Sequence, residues 1–298
     1  AISGIADYKF ATEQECLNEI KKIVSKLGSN PKAGFNRTVS TLPAKNTDGL
    51  YSILSEGNSK PYDMRDIIER IVDASEFDFD KIFEGADWFH TTGITPALSD
   101  KAAALTLAAL KAAKAKGITT SIDLNYRKKL WSKEKAREVM SQLCQYVDVC
   151  IGNEEDADTT LGFKAADTDV TKGELNLDGF KDVFKQMKAK FGFKFIASSL
   201  RESHSASDNG WSALVYDGTD FYHTKQYNVR IVDRVGSGDS FASGLIFGLV
   251  TGMKMADAAE FGVAASAIKH TIPGDLNHAT LSEVKDLVKG DGSGRVQR

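Results

Sequence analysis

The chain has 298 residues, of which 42% are hydrophobic and 27% charged, enough for one large globular domain or two smaller ones with a sizeable core. Its formal net charge of -3 at pH 7 gives no general attraction to nucleic acid or to an anionic membrane, and no apolar run approaches a membrane span. These features exclude a nucleic-acid or membrane partner, so we expect function to depend on a local site.

The three cysteines, Cys16, Cys144 and Cys150, are odd in number and show no CxxC spacing. This pattern predicts buried, reduced thiols instead of disulfides or a zinc site. The first residues also lack a basic stretch followed by an apolar one. Together these observations predict a cytoplasmic protein.

The first 77 residues differ in kind from the rest of the chain. The segment "ATEQECLNEIKKIVSKL" predicts a helix with a capping box from Thr12 to Glu15, and "YDMRDIIERIVD" predicts a short amphipathic helix. A polar loop punctuated by Pro and Gly separates them. Two helices and a long loop make a poor core of their own.

From about residue 86 the sequence predicts strands that alternate with helices. An Ala-rich helix is expected to begin at Ser99 or Asp100 and to stop at Gly117. The alternating segments that precede and follow it are "DWFHTTGI", "ITTSIDLN", "SKEKAREVMSQLCQY" and "VDVCIG". Strands that alternate with helices predict a parallel sheet with helices on both faces.

The remainder of the chain predicts the rest of that sheet and two closing helices. Three strands are expected in "FGFKFIASSL", "GWSALVYDG" and "TDFYHTKQYNV", the last two joined as a hairpin at Asp217 and Gly218. The helices are predicted near 238 to 251 and 255 to 269. There is no internal repeat.

The stretch "VDRVGSGDSFASGLIFGLV" places small residues and an acid at the start of an apolar helix. A helix N-terminus carries unpaired N–H groups and partial positive charge, so it attracts an anion such as a phosphate. Gly236 and Gly238, with Ser237 between them, leave those donors accessible, and Asp239 could accept a proton from a hydroxyl beside the phosphate. The four residues alone are more typical of a tight strand-to-helix turn with an acidic residue near its cap.

The same stretch resembles the C-terminal signature of the ribokinase-like sugar kinases, the PfkB family. The resemblance covers about residues 78 to 290 and is closest to the 2-keto-3-deoxygluconate kinases, through the segments "FEGADWFHTTGITPAL", "DLNYRKKLW", "NEEDA", "LRESHSASDNGWSALVYDG" and "KHTIPGDLN". It implies a three-layer α/β/α sandwich with a mostly parallel sheet. It also implies transfer of the ATP γ-phosphate to a sugar-acid hydroxyl, with Asp239 as base and the amides of Gly236, Ser237 and Gly238 as the anion hole.

Arg127 and the acidic segment after the next strand are further candidates. Arg127 follows a predicted strand end, where open α/β sheets place ligands, and its guanidinium suits a carboxylate or phosphate. Alternatively it is a solvated turn residue. The resemblance implies that Asn153 and Asp156, with Glu154 and Glu155 between them, orient Mg²⁺ through water. Many relatives have Glu at the place of Asp156, and the equal alternative is a helix cap followed by first-turn acids.

The resemblance implies further nucleotide and substrate contacts. It places Ser199, Leu200 and Arg201 along the nucleotide phosphates, where Arg201 could offset the charge that develops during transfer. It places Ala264, Ser266 and Lys269 on a helix that flanks the adenine, with Asp275 and Asn277 following; Asp275 is assigned to substrate binding. The alternative for that helix is simple packing on the core. The five His residues show no ligand spacing and are assigned no metal.

The N-terminal part does not follow the kinase pattern. Relatives begin with strands, a Gly-Gly substrate loop and a β-sheet lid, and none of these is found before residue 78. Instead, "SGIADY" and "DGLYSILSEGNSKPYDMRDIIERIVDASEF" resemble the middle of the carboxyltransferase subunit of acyl-CoA carboxylases. We therefore expect a chimera joined near Phe77, with a foreign segment at 1–77 and a kinase core at 78–298.

Three functions follow in order of support. The first is a sugar-acid kinase with ATP, Mg²⁺ and a small sugar acid as its partners. The second is a nucleotide-binding or structural chimera with little turnover, because the sugar loop and lid are missing. A carboxylase fragment is the third, and it is disfavoured because its catalytic loops are absent. The sequence assigns no oligomeric state.

Overall fold

The computed structural model describes residues 73–153, 155–164 and 177–290. The predicted helix near 11–27, the predicted helix near 62–73 except for its last residue, Asp73, and most of the predicted foreign segment lie outside these residues. Cys16 and Glu154 also lie outside them. Two compact units divide the described part. One contains 73–87 and 95–117, and the other contains 88–94 and the described residues from 118 to 290.

The first unit is built around one long helix. Its helices are a 3₁₀ turn (Ala74–Glu76), α1 (Phe79–Ile82), most of α2 (Ile94–Ala97) and α3 (Asp100–Ala115). As the sequence predicts, Ser99 caps α3 by accepting the N–H of Ala102 at 3.1 Å, and Gly117 follows the helix with a φ of 73°.

A seven-stranded sheet forms the centre of the second unit. Strands β1 to β6 lie side by side in sequence order, and β7 pairs with β5 beyond the end of β6. The first four strands are parallel, whereas β4, β5, β6 and β7 pair in antiparallel fashion. The strands are β1 (Trp88–Thr92), β2 (Thr119–Asp123), β3 (Val149–Asn153), β4 (Phe195–Ser203), β5 (Asp208–Tyr216), β6 (Phe221–His223) and β7 (Tyr227–Arg230).

Helices cover both faces of this sheet, which confirms the predicted α/β class. Inward-facing residues of β3, β4 and β5 pack with α7 and α8, whereas Phe184 of α6 stacks on Phe221 from the opposite face at 6.5 Å. The helices of this unit are α4 (Lys133–Leu143) with a 3₁₀ turn (Cys144–Tyr146), α5 (Asp156–Leu161), α6 (Leu177–Phe191), α7 (Ser237–Val250), α8 (Met255–Lys269) and α9 (Leu281–Lys289).

Close packing of α7 on α8 fixes the direction of α7. A Cβ placed on Gly244 would lie 2.8 Å from the Cα of Gly262, and one on Gly248 would lie 2.6 Å from the Cβ of Ala258. Side chains larger than hydrogen would therefore separate the helices. Because the two helices touch here, the N-terminus of α7 is held at the carboxyl end of the parallel strands.

Two further features concern predictions from the sequence. The segment predicted as one strand over 219–229 is divided into β6 and β7. Cys144 and Cys150 are buried and free, as predicted, and burial raises the pKa of both thiols. Among the described helices, none has the length and apolar character needed to cross a membrane.

Candidate active site

A cleft of about 420 Å³, here called the strand-end cleft, lies where β2 and β3 end, beside Ser199 in the middle of β4. Parallel strands bring their carboxyl ends to one edge of a sheet, so side chains far apart in sequence meet there. The lining residues are Asp123, Asn125, Arg127, Ile151, Gly152, Asn153, Asp156, Ser199, Trp211, Phe241 and the run from Arg234 to Asp239.

The turn at the start of α7 presents free backbone donors to this cleft. Gly236 is the N-cap residue with a φ of 78°, and no side chain caps the helix. In the described part of the chain, no group accepts the N–H of Gly238 or of Asp239. Gly238 has nothing within 4 Å of the place where a Cβ would stand. Of the three amides predicted for the anion hole, that of Ser237 is not free, because its N–H donates to the carbonyl of Arg234 at 3.3 Å. The turn leaves the N–H groups of Gly238 and Asp239 open to a phosphate-sized ligand.

Side chains from other segments hold this turn in place. Asp233 accepts the N–H of Val235 at 3.0 Å and that of Gly274 at 2.8 Å. The hydroxyl of Ser266 donates to the carbonyl of Ser237 at 2.8 Å. The donors of the turn are thus preorganised before any ligand binds.

Asp239 lies in the first turn of α7 and is exposed to the cleft. Its neighbour Asp123 is only 9% exposed at the end of β2. Burial raises the pKa of Asp123 to about 7, with smaller contributions from the charges of Asp156 and Asp239, while Arg127 opposes the shift. The cleft therefore combines an exposed carboxylate, Asp239, with a buried carboxyl group, Asp123, whose pKa is raised.

Arg127 follows β2 in a loop and lines the strand-end cleft, as predicted. Its Nη1 donates to the carbonyl of Tyr126 at 3.3 Å, and its side chain is exposed. Asn125, two residues before Arg127, has a φ of 38°, a conformation that non-glycine residues seldom adopt. The loop is thus held in an unusual shape beside the donors of the α7 turn.

The side chains predicted to hold Mg²⁺ are already engaged with backbone groups. Both oxygens of Asp156 accept N–H groups, from Tyr126 at 3.2 Å and from Asn153 at 3.0 Å. Burial raises the pKa of Asp156, and those two N–H groups oppose the shift. The Oδ1 of Asn153 accepts the N–H of Glu155 at 2.8 Å and that of Asp156 at 3.0 Å, as in a helix cap.

This pair therefore does not fit direct ligation of Mg²⁺, and the water-mediated role that the resemblance implies remains a prediction. Mg²⁺ requires oxygen ligands in near-octahedral geometry, and it usually keeps several waters. Asp156 is only 3% exposed, and its oxygens already have donors. Elsewhere in the described residues, no group of three or more His, Cys, Asp or Glu side chains is arranged to hold a metal ion.

A second cleft of about 500 Å³, here called the helix cleft, lies between α7, α8, α9 and the segment before α9. Its walls are largely apolar, and Gly236 and Asp239 belong to both clefts. An apolar, mostly preformed hollow of this size suits a flat ring system such as a nucleobase. The side chains that form its walls include Phe247, Phe261, Asp275, Leu276, Asn277, Leu281 and Val284.

The structure brings some of the predicted site residues together and separates others. Ser199 lines the strand-end cleft with the α7 turn, whereas Asp275 lines the helix cleft and does not share a cleft with Arg127. Arg201 is exposed on β4, outside the lining of either cleft. The roles predicted for these residues remain predictions.

The three residues predicted to flank the adenine on α8 are fully buried and line neither cleft. Ser266 holds the α7 turn, as described above, and the Nζ of Lys269 donates to the carbonyl of Ile272 at 3.0 Å. Ala264 is packed in the core. Their direct contact with a nucleotide remains a prediction that this packing does not favour.

The lining residues that were not predicted include Asp123, Trp211 and Arg234. Asp123 and Arg234 carry charge at the end of a buried strand and just before the glycine turn, a signal that could have identified them. The Nη2 of Arg234 donates to the carbonyl of Ala206 at 2.6 Å, which holds the guanidinium beside the turn. Trp211 gave no local signal, because it reaches the cleft only through sheet pairing.

The chain matches the family described as pfkB family carbohydrate kinase over residues 57–279 and belongs to that family. Residues 1–83 match a carboxyl transferase domain, so the two matches overlap at 57–83. Both resemblances that the sequence suggested are therefore confirmed. The fold and the open α7 turn agree with the kinase family.

Relatives of known name are sugar-acid kinases. A 2-dehydro-3-deoxygalactonokinase of Haloferax volcanii is 32% identical over 214 residues, covering 72% of this chain and 60% of the relative. A 2-dehydro-3-deoxygluconokinase of Bacillus subtilis is 28% identical, with 65% and 54% covered. The crystal structure of the Thermotoga maritima 2-dehydro-3-deoxygluconokinase is 42% identical with a TM-score of 0.68, covering 74% of this chain and 64% of that one. The chain thus spans less than two thirds of each relative.

Proposed function

We propose that this chain transfers the γ-phosphoryl group of ATP to a hydroxyl of a 2-keto-3-deoxy sugar acid. The observation that carries the proposal is the position of Asp239 and the free amides of the α7 turn, at the junction of the two clefts. The names of the relatives support the acceptor class. A base, anion donors and two neighbouring hollows are what transfer between a nucleotide and a small acceptor requires.

The helix cleft suits the nucleoside and the α7 turn suits the phosphates. The apolar walls around Phe247 and Phe261 can accommodate the nucleobase. The N–H groups of Gly238 and Asp239 can donate to phosphate oxygens, and the first turn of α7 favours their negative charge. ATP supplies the phosphoryl group, and this chain supplies its orientation.

Asp239 is the proposed general base. Its carboxylate takes the proton of the acceptor hydroxyl as the oxygen of that hydroxyl bonds to the γ-phosphorus. The bond between the γ-phosphorus and the bridging oxygen breaks, and ADP leaves with that bond's electron pair. The amides of the turn stabilise the charge on the transferring group, because they are fixed in advance by Asp233 and Ser266.

Arg127 is the proposed partner of the acceptor's carboxylate. Its planar guanidinium can bind a carboxylate in bidentate fashion, and it lines the same cleft as Asp239. This arrangement would hold the acceptor by one end and present a hydroxyl to the base. Mg²⁺ would enter with the nucleotide phosphates, and no step is assigned to it.

The test is a coupled assay of phosphoryl transfer from Mg-ATP to 2-keto-3-deoxygluconate, beside Asp239→Asn. Turnover that is lost in the variant supports the proposal. The second candidate is a chimera that binds nucleotide without turnover, which the carboxyl transferase match at residues 1–83 favours. ATP binding without transfer to any sugar acid would select that candidate.

A further inference from the structure

We infer that Asp156 is a positioning residue: its carboxylate ties the loop after β2 to the end of β3, and it thereby holds Arg127 in the strand-end cleft. This role differs from the water-mediated orientation of Mg²⁺ that the resemblance implies. The inference deepens the proposed function, because the ligand held by Arg127 is the sugar acid proposed above.

The hydrogen bonds of Asp156 connect two neighbouring strand ends. One oxygen accepts the N–H of Tyr126, the residue before Arg127, at 3.2 Å. The other accepts the N–H of Asn153, the last residue of β3, at 3.0 Å. The side chain is 3% exposed, so water competes little for these donors. A single carboxylate therefore fixes both loops relative to each other.

Gly152, near the end of β3, leaves room for the side chain of Asp156. A Cβ on Gly152 would lie 3.3 Å from the Cβ and 3.4 Å from the Oδ2 of Asp156, so any larger residue there would press on the side chain. A second hydrogen bond joins the same two residues, because the Oδ1 of Asn153 accepts the N–H of Asp156 at 3.0 Å. Each side-chain oxygen of the pair, the Oδ1 of Asn153 and both oxygens of Asp156, thus accepts at least one backbone N–H group.

A second anchor holds the other side of the same loop. The Nδ2 of Asn125 donates to the hydroxyl of Thr92 at 3.2 Å. This bond accompanies the φ of 38° at Asn125, a conformation that persists only when the surroundings impose it. The two residues before Arg127 are therefore fixed from β1 and from α5, and the direction of Arg127 follows from them.

Two substitutions separate positioning from metal binding. Asp156→Asn keeps the shape but turns one acceptor into a donor, so one of the two N–H groups loses its partner. Asp156→Glu keeps a carboxylate for a metal but moves it by one methylene from both N–H groups. Thr92→Val removes the other anchor without changing volume and serves if an Asp156 variant fails to fold. Asp158→Asn is the matched control, because Asp158 pairs with Arg137 at 3.1 Å outside the cleft.

The readouts are hydrogen exchange and calorimetry on the full chain. We expect Asp156→Asn and Asp156→Glu to accelerate exchange at Tyr126 and Asn153. We expect them, like Thr92→Val, to weaken binding of 2-keto-3-deoxygluconate by about tenfold or more, the effect of about 1.4 kcal/mol. The Mg²⁺ dependence of ATP binding should stay as in the parent, and Asp158→Asn should change none of these.

Unchanged exchange at Tyr126 in both Asp156 variants would overturn the inference. So would a weaker Mg²⁺ dependence in Asp156→Asn that Asp156→Glu restores, because that pattern belongs to a metal ligand. If the parent protein binds no sugar acid, the proposed acceptor is wrong, and the exchange at Tyr126 still decides whether Asp156 holds the loop.

Discussion

Asp239 and Asp257 occupy the same position, the third residue, in the first turns of the neighbouring helices α7 and α8, and both are exposed. Only Asp239 lines the clefts. We expect Asp239→Asn to lower kcat by about two to four orders of magnitude, as for loss of a general base, with ATP affinity nearly intact. Steady-state kinetics and calorimetry measure both quantities. Asp257→Asn should leave them unchanged, and equal rates in Asp239→Asn and the parent would remove Asp239 from the chemistry.

Arg127 and Lys128 are adjacent, exposed cations in one loop, but only Arg127 lines the strand-end cleft. We expect Arg127→Ala to raise the KM for the sugar acid by about tenfold or more, because a bidentate pair with a carboxylate is lost. The KM for ATP should change much less. Lys128→Ala removes the same charge outside the cleft and should change neither KM. A larger effect of Arg127→Ala on ATP would place Arg127 on the nucleotide side.

Asp123 makes the stability of the protein depend on pH in a predictable direction. Burial raises its pKa from 3.8 to about 7, so the folded state binds more protons than the unfolded state between these values. Stability from this group is therefore present below about pH 4 and is lost as pH rises to about 7, by an amount on the order of a few kcal/mol.

Asp123→Asn should flatten this dependence, because an amide keeps the side chain's size and acceptor oxygen without the charge. Urea unfolding at pH 4.5 and pH 8 measures the effect: the free energy of unfolding should fall less in the variant than in the parent. Asp182→Asn, at an exposed carboxylate on α6, should leave the parent's slope unaltered. If the free energy of unfolding falls equally between pH 4.5 and pH 8 in Asp123→Asn and in the parent, Asp123 does not cause the pH dependence.

At the scale of the element, Gly236 and Gly238 at the start of α7 have different structural roles. Gly236 needs its φ of 78°, and a Cβ there would overlap the carbonyl oxygen of Asp275. Gly238 has ordinary helical surroundings and open space before it. The first glycine is required by the fold, and the second keeps the donors accessible.

Alanine at each glycine should therefore act on a different quantity. We expect Gly236→Ala to lower the free energy of unfolding by about 1–3 kcal/mol or more. Gly238→Ala should stay within about 0.5 kcal/mol of the parent in stability, while its ATP affinity falls by about tenfold or more, because the methyl group stands before the free N–H groups. Urea unfolding and calorimetry separate the two effects. Full ATP affinity in Gly238→Ala would show that the phosphates bind elsewhere.

The elements that the sequence predicted well are those whose signals are contiguous. The cap at Ser99, the stop at Gly117 and the glycine turn before α7 each lie within a few residues of the structure that they determine. The strand predicted over 219–229 was divided by partners far along the chain. Thr224 accepts the N–H of Ala213 through its hydroxyl, and the N–H of Lys225 donates to Glu260, 35 residues away.

The candidate active site was likewise predictable only where its residues are contiguous in the sequence. Gly236 to Asp239 form one contiguous motif, so their placement could be read from the sequence. Asp156 could not be assigned in this way, because its bond to Tyr126 spans 30 residues and exists only after β2 and β3 lie side by side. The resemblance implied that this carboxylate orients Mg²⁺ through water, whereas in the structure it accepts backbone N–H groups from Tyr126 and Asn153.

At the scale of the whole molecule, the two family matches meet within residues 57–83, while the clefts are lined by residues between Asp123 and Val284. A ligand slows exchange of the amides that it orders and of the segments whose opening it suppresses. If 1–77 is a foreign segment, saturating ATP should slow hydrogen exchange in the α7 turn and around the helix cleft, and leave exchange in 1–77 unchanged.

Gly238→Ala is the variant that makes this measurement specific. It should lose the protection at the α7 turn at ATP concentrations that saturate the parent, because the free N–H groups become blocked while the fold stays intact. Any protection that persists equally in the variant does not arise from the proposed phosphate site. Protection within 1–77 that disappears together with that of the α7 turn would mean that the N-terminal segment has become part of the nucleotide-binding unit, and a division near Phe77 would then be wrong.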